Sequence, residues 1–326
     1  MISIIIPLFN DRWNLNNLLE DLNNQTFKDF RAIFIDDGST DNTKALFDSM
    51  KGKLLFRYKY FRIQNSGQAA ARFFGYKHIE SGTRFVTFVD GDDRIKNDYV
   101  RLLVENLMLH KADLSIVNYD LIENNKVHII HPTLDTVKIL TDDLPLEWIS
   151  EKNFKGFLWG KMFKVELFDS LNWHTEMRFL EDVALINQII PRVSKAVYCS
   201  IPQYRYIQRR KSSIRVDVAR EEWMNIIDVL DSMHSLINDK NAERAFTARC
   251  IRTLRGLFER SSLDTLKRDS NQISKAVCLM KSENKTNLDL DIFDYFFYEY
   301  AKSNLMKLLI AKSRKSAVFI KHKLKR

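Results

Sequence analysis

The first 93 residues alternate strand-like and helix-like segments, and this order restricts the fold more than any other feature of the sequence. Residues Ile2–Pro7 form a nearly continuous β-branched run ended by proline, a pattern typical of a parallel strand buried on both faces. The alternation predicts a doubly wound α/β domain with a mostly parallel sheet and helices on both faces. Further strands are predicted at 32–35, 54–61 and 85–89, and helices at 15–22, 43–50 and 68–79.

Turns rich in acidic and small residues follow these strands. Pro7–Asn10 closes the first strand, Asp36–Ser39 the second and Asp90–Asp93 the fourth. In open α/β sheets, ligands bind outside the carboxyl ends of the strands, so we expect these three turns to line one crevice.

The rest of the chain follows a different pattern. A helix is predicted at 98–110, a strand at 114–119 and a hairpin within 121–130, whose turn is Asn124-Asn125. Beyond about residue 215 the periodicity is helical throughout, with helices predicted at 219–237, 241–260, 263–281 and 290–312. We expect an α/β domain over 1–215, followed by a helical region over 216–326.

The net charge of +9 is concentrated at the end of the chain. Residues 301–326 carry nine Lys and Arg residues and no acid, so residues 1–300 are balanced. A neutral body argues against a nucleic-acid footprint along the chain, whereas basic residues mixed with apolar ones suit an anionic membrane surface. A solvated terminal helix is the alternative interpretation of this tail.

Length, cysteine usage and apolar runs restrict the class of protein. The 326 residues, 45% of them apolar, suffice for one large domain or two ordinary ones. Cys199, Cys250 and Cys278 are far apart and fit neither a disulfide framework nor a zinc site, which indicates a reducing compartment. The chain begins with a strand instead of an export signal and has no apolar run of about 18 residues, so we expect a cytoplasmic protein.

Three carboxylates in four residues, Asp90-Gly91-Asp92-Asp93, directly follow a buried strand. They would repel one another unless a positive charge lay among them, and carboxylate oxygens are the ligands that Mg²⁺ and Mn²⁺ prefer. The alternative is a solvated acidic turn. At the neighbouring strand end, Asp37 has the chemistry to accept an N–H of a pyrimidine base, whereas Asp36 is assigned to the turn itself.

Two further segments complete the candidate site at this edge of the sheet. Phe9 offers a flat apolar wall beyond the first strand. Asn65–Gln68 open an alanine-rich helix whose free N–H groups favour anions, and Arg72 adds positive charge. Close packing of the alanines on the sheet is the alternative for this helix. The seven His residues form no ligand set.

The ordered segments 2–10, 30–41, 65–75 and 85–93 resemble the family 2 glycosyltransferases, whose nucleotide-sugar domain has the GT-A fold. The resemblance covers residues 1–120. It implies that this segment is the nucleotide part of the domain and that 121–215 is the acceptor part. It implies that Asp92 ligates Mn²⁺ or Mg²⁺ and that Asp90 lies toward the ribose and the metal. It also implies that the nucleotide is bound by Pro7, Phe9, Asp37, Asn65 and Arg72.

The segment Phe179–Val183 resembles the Glu-Asp motif of the same family. The resemblance makes Asp182 the general base that takes the proton of the acceptor hydroxyl, with Glu181 beside it. The alternative from the residues alone is an acidic helix start that complements the helix dipole.

Two other segments resemble parts of the family that meet the acceptor or the diphosphate. Trp159 and Lys161 belong to an element similar to the Trp-x-Lys element of capsule and wall-polymer members. Trp159 would stack on the acceptor sugar, with a core tryptophan as the alternative. Arg209 and Arg210 lie in a stretch that resembles the cationic segment closing over the pyrophosphate, with a basic surface loop as the alternative.

The resemblance implies an inverting enzyme that moves a sugar from a UDP-sugar to a hydroxyl of a glycan or lipid-linked acceptor in surface polysaccharide synthesis, by metal-assisted single displacement. Its expected partners are the donor, the acceptor and an anionic membrane at the inner face of the cell, but no nucleic acid. A nucleotidyltransferase is one alternative, although it would need a Gly-rich basic loop where Pro7–Asp11 stands. A non-catalytic membrane-surface or nucleic-acid-binding module that uses the basic tail is the other.

Overall fold

A computed structural model describes residues 1–124, 126–129, 136–208 and 220–260. The chain divides into two compact units, the first formed by Met1–Trp148 and Lys152–Arg210. The second unit includes Ile149–Glu151 and the helices beyond residue 219. The predicted helices at 263–281 and 290–312, the basic tail, Cys278, Arg209 and Arg210 lie outside the described residues.

The first unit contains ten strands and six α-helices among the described residues. The strands are β1 (Ile2–Leu8), β2 (Phe30–Asp36), β3 (Arg57–Arg62), β4 (Phe85–Phe88), β5 (Arg94–Ile95), β6 (Leu114–Glu123), β7 (Lys126–Ile129), β8 (Val137–Leu140), β9 (Lys161–Lys164) and β10 (Ala196–Gln208). The helices are α1 (Arg12–Asn23), α2 (Thr43–Met50), α3 (Gln68–Lys77), α4 (Tyr99–His110), α5 (Leu144–Ser150) and α6 (Glu181–Ile189).

All ten strands form one sheet, with the order β3-β2-β1-β4-β9-β6-β10-β5, to which β7 adds on β6 and β8 adds on β10. The first four strands in this order are parallel, as predicted from the alternation of strands and helices. β9 then pairs antiparallel with both β4 and β6, so the sheet as a whole is mixed. The parallel part, which ends at β4, carries the turns expected to form the crevice.

Helices cover both faces of the parallel strands. All seven residues of β1 are buried; Ile4 and Ile6 share a core with the leucines of α1. On the opposite face α3 lies very close to the sheet, because a Cβ at Gly75 would fall 2.7 Å from Ile5 and 2.6 Å from Ile35. The sequence prediction of helices on both faces is thereby confirmed.

The second unit is helical in its described part. It contains α7 (Arg220–His234) and α8 (Lys240–Arg260), close to the predicted helices at 219–237 and 241–260. Arg249 of α8 is buried and pairs with Glu151, whose Oε1 lies 3.1 Å from Nη2 of the arginine. None of the helices in the described ranges is both long and apolar enough to cross a membrane.

Candidate active site

Three strand ends meet at one edge of the parallel sheet, as expected. The backbone N–H of Asp37 donates to the carbonyl of Leu8, and that of Val89 donates to the carbonyl of Ile5. These bonds continue the pairing of β1 with β2 and β4 beyond the strands themselves. Pro7 is buried in β1, whereas Phe9, just past its end, is 49% exposed.

The turn after β4 brings three carboxylates together. One oxygen each of Asp90, Asp92 and Asp93 lies within 4.8 Å of the others. Asp93 is buried and is bound on both oxygens, by the Tyr204 hydroxyl at 2.8 Å and the Ile207 N–H at 2.8 Å. Asp90 and Asp92 are partly exposed. A set of hard carboxylate oxygens that includes two accessible residues fits a divalent cation such as Mg²⁺ or Mn²⁺.

Tyr204 of β10 also holds the acidic turn that follows β4. Its hydroxyl donates to Asp93 and accepts the backbone N–H of Asp90 at 3.1 Å. Burial, followed by the charges of Asp92 and Asp90, raises the pKa of Asp93, and the hydrogen bonds from the Ile207 N–H and the Tyr204 hydroxyl oppose this shift. Tyr204–Gln208 belong to the sheet as the end of β10.

Asn14 of α1 also holds the acidic turn, and sequence analysis did not select it. Its amide nitrogen donates to the carbonyls of Gly91 at 3.0 Å and Asp93 at 2.8 Å. The signal that could have found it is its position in the buried stripe of α1 with Leu15 and Leu18, where a polar side chain needs buried partners.

The turn after β2 is tied to the loop before α3 through Asp37. Its carboxylate accepts the backbone N–H groups of Ser66 at 2.7 Å and Gly67 at 2.9 Å. The Asn65 side chain completes the connection by donating to the Asp37 carbonyl at 3.1 Å. Gly38 is required between them, because its φ is +74° and a Cβ there would lie 2.9 Å from the Asn65 nitrogen. Asp37 and Asn65 therefore lie side by side at this edge of the sheet. Asp36 is buried and accepts the Ser39 N–H, which suits the turn role given to it.

Arg72 is the centre of the charged groups in the site. The guanidinium is 2% exposed and reaches carboxylates from two separate motifs. Nη2 lies 2.8 Å from Asp90, and Nη1 lies 2.6 Å from Asp182 and 3.1 Å from Glu181. Because all of these contacts are to protein carboxylates, the arrangement favours a positioning role over the direct nucleotide contact predicted from the sequence.

Asp182 and Glu181 stand at the first turn of α6. Asp182 also accepts the backbone N–H of Leu158 at 3.2 Å, so each of its oxygens has a protein donor. Burial raises its pKa, an effect that Arg72 opposes and Asp90 reinforces. Burial and the neighbouring Asp182 raise the pKa of Glu181 to about 8. Burial thus makes the ionised form of both carboxylates costlier than it is in water.

The two residues of the Trp-x-Lys element do not face the crevice. Trp159 is 4% exposed and its ring stacks on Tyr204 and Phe157, with centroid distances of 4.3 and 4.5 Å. The prediction that Trp159 stacks on an acceptor sugar is not supported, because its ring faces are already packed. Lys161 is 3% exposed and its ammonium donates to the carbonyls of Phe157 and Lys155, so it holds a loop in place and does not reach a diphosphate.

Comparisons with known proteins agree with this geometry. The model of Glycosyl transferase family 2 matches residues 3–172, more than half of the chain. Glycosyltransferase GlyA of Streptococcus pneumoniae is 29% identical over 249 residues, which are 72% of this chain and 34% of GlyA. The chain thus spans about a third of that relative's length. The cholesterol galactosyltransferase of Borreliella burgdorferi is 28% identical over 251 residues, 73% of this chain and 69% of that protein.

A solved structure shares the fold. Residues 1–349 of Staphylococcus aureus TarS, in complex with UDP-GlcNAc, superpose with a TM-score of 0.68 over 86% of this chain and 81% of that one. The two chains are 16% identical.

Proposed function

Because the chain belongs to glycosyl transferase family 2 and is therefore a glycosyltransferase, we propose that it transfers a sugar from a UDP-sugar to an acceptor hydroxyl with inversion. The predicted family and the GT-A fold are confirmed, and membership in an enzyme family removes the non-catalytic alternative. The acceptor we propose is a glycan or a lipid-linked saccharide used in surface polysaccharide synthesis.

One observation carries the proposal: Arg72 joins Asp182, the proposed base, to Asp90 of the acidic turn. Two carboxylates on one guanidinium lie close enough for one to serve the acceptor while the other serves the donor. Asp182 would take the proton of the attacking hydroxyl. Single displacement needs only this base, since the hydroxyl attacks the anomeric carbon from the side opposite the departing diphosphate.

The other side of the crevice supplies the nucleotide site. We propose that Phe9 and Pro7 contact the nucleoside and that Asp37, with Asn65 beside it, accepts an N–H of the uracil ring. Asp92 and Asp90 would hold Mn²⁺ or Mg²⁺. A divalent cation bound there would supply positive charge that stabilises the departing diphosphate.

The donor and acceptor classes have separate support. The fold neighbour TarS was solved with UDP-GlcNAc, which supports a UDP-sugar donor. A relative named cholesterol galactosyltransferase supports an acceptor that resides in a membrane. The basic residues of 301–326 would bring the enzyme to such a surface at the inner face of the cell membrane.

A panel of UDP-sugars with Mn²⁺ tests the donor, scored by thermal protection and by hydrolysis. We expect at least one UDP-sugar to raise the melting temperature, and to raise it less in EDTA. A GDP-sugar or TDP-sugar that protects while every UDP-sugar fails would contradict the donor assignment.

Two substitutions then separate the proposed roles. Asp182→Asn should lower kcat by about 10²–10⁴-fold with UDP binding retained, because only the base is lost. Asp92→Asn should lower transfer and also weaken Mn²⁺-dependent UDP binding. Asp142→Asn, at an exposed position, serves as the matched control. Near-normal transfer by either site variant would remove its assigned role.

A further inference from the structure

The acidic turn depends on a side chain that lies far from it in the sequence. Asn14 of α1 is 1% exposed, so water does not compete for its amide. Both of its carbonyl partners, those of Gly91 and Asp93, belong to the turn that contains Asp92. The two bonds connect residues 77 and 79 positions apart.

These bonds fix the peptide groups around Asp92. The Gly91 carbonyl belongs to the peptide that joins Gly91 to Asp92, and Asn14 holds it on one side. On the other side, the Asp93 N–H donates to the Asp90 carbonyl at 3.1 Å, and Asn14 holds the Asp93 carbonyl that follows. Asp92 therefore has little freedom to rotate its backbone.

An amide is the side chain that this position needs. Its NH₂ group carries two hydrogens, one for each carbonyl. A carboxylate of the same shape would place its oxygens, which only accept hydrogen bonds, against the two carbonyl oxygens. A leucine would leave both buried carbonyls without a donor. The turn is also closely packed at Gly91, because a Cβ there would lie 2.9 Å from the backbone oxygen of Pro7.

From this geometry we infer that Asn14 is a positioning residue for Asp92, which sets the direction of that carboxylate toward the divalent cation and the donor diphosphate. Groups that orient a metal ligand from behind affect metal affinity without touching the metal. The inference rests on the proposed function, since it concerns the metal role of Asp92.

The test compares Asn14→Asp and Asn14→Ser with Asn16→Asp and Asn16→Ser in the full chain. Asn16 is exposed on the same helix, so its variants control for changes in helix propensity and charge. Three quantities are measured well below the melting temperature: UDP affinity with Mn²⁺ by calorimetry, UDP affinity in EDTA, and the Mn²⁺ concentration that gives half-maximal transfer.

Both Asn14 variants should weaken Mn²⁺-dependent UDP binding and raise the half-maximal Mn²⁺ concentration by roughly tenfold or more, with UDP affinity in EDTA unchanged. If Asn14 has a purely structural role, its variants should have a lower melting temperature, but the molecules that remain folded should bind UDP with the wild-type dependence on Mn²⁺. That result would overturn the inference. If Asn14→Asp does not fold, Asn14→Ser decides alone. If Mn²⁺ does not change the UDP affinity of the wild type, the metal proposal and the inference are both overturned. If Mn²⁺ raises the UDP affinity of the wild type and of the Asn14 variants equally, only the inference is overturned.

Discussion

Arg72 concentrates the electrostatics of the site in one side chain. One buried positive charge faces the carboxylates of Asp90, Glu181 and Asp182, so the group carries excess negative charge. Burial makes each ionised carboxylate costly, and Arg72 offsets only part of that cost. This imbalance explains why the pKa values of both Glu181 and Asp182 are raised despite their ion pairs.

The raised pKa of Glu181 predicts how stability changes with pH. In the unfolded chain a glutamate titrates at about 4.3, whereas in the folded protein Glu181 titrates at about 8. Between these values the folded state binds the extra proton, so the free energy of unfolding falls as pH rises. Glu181→Gln should therefore lose less stability than the wild type between pH 5 and 8, as measured by urea denaturation in EDTA at roughly these two pH values.

Glu166→Gln, at an exposed position, is the control for this comparison and should follow the wild type. An identical pH dependence in the wild type and Glu181→Gln would show that Glu181 titrates normally in the folded protein.

At the scale of elements, the segment between α5 and β9 contacts Asp182, the proposed base. Leu158 donates its N–H to Asp182, and the residues around it are held from two sides. The Lys161 ammonium binds the carbonyls of Phe157 and Lys155, and Trp159 packs between neighbouring aromatic rings. The first turn of α6 thus receives its orientation from a loop that contains no catalytic group.

The substitution Lys161→Met tests whether this loop positions Asp182. The substitution keeps the apolar stem but leaves two carbonyls without their cationic donor, which should lower the free energy of unfolding by about 1–3 kcal/mol. Because the Leu158 N–H would shift relative to Asp182, kcat should fall while Mn²⁺-dependent UDP binding stays unchanged. Lys77→Met, at an exposed lysine on α3, is the control. A rise in KM for UDP-sugar with normal kcat would instead support the diphosphate contact first predicted for Lys161.

The whole molecule separates its chemistry from its net charge. Residues 1–300 are balanced and carry a site built on carboxylates, whereas the excess of +9 belongs to residues 301–326. Each Lys or Arg near an anionic surface contributes about 1 kcal/mol to membrane attraction. Under the proposed function, a tail of this charge would hold the enzyme at the membrane that contains the proposed acceptor.

Flotation with liposomes tests this role of the tail. The full chain should float with phosphatidylglycerol liposomes, and less of it should float at high salt, because salt screens the attraction between the tail and the lipid. A 1–300 truncation should remain in the soluble fraction, because it lacks the charges of the tail. Thermal protection by UDP and Mn²⁺, measured on both proteins, verifies that truncation leaves the site intact. Equal flotation of the two proteins would contradict the membrane proposal. Binding of the full chain to RNA but not to liposomes would also contradict it.

The sequence by itself determined the order of strands and helices over the first 93 residues and which of their turns share an edge, but it did not predict α5, β8, β9 or β10. Parallel strands of one sheet present their carboxyl ends together, so local runs such as Ile2–Pro7 and the turn at Asp90–Asp93 were enough to predict one crevice. Only the tertiary structure decided which side chains meet within it. Arg72 joins Glu181 and Asp182 across more than 100 residues, and Asn14 reaches Gly91 across 77. The burial of Trp159 and Lys161 was also decided by the tertiary structure. Local periodicity encodes which face of an element is buried, but not which distant element covers it.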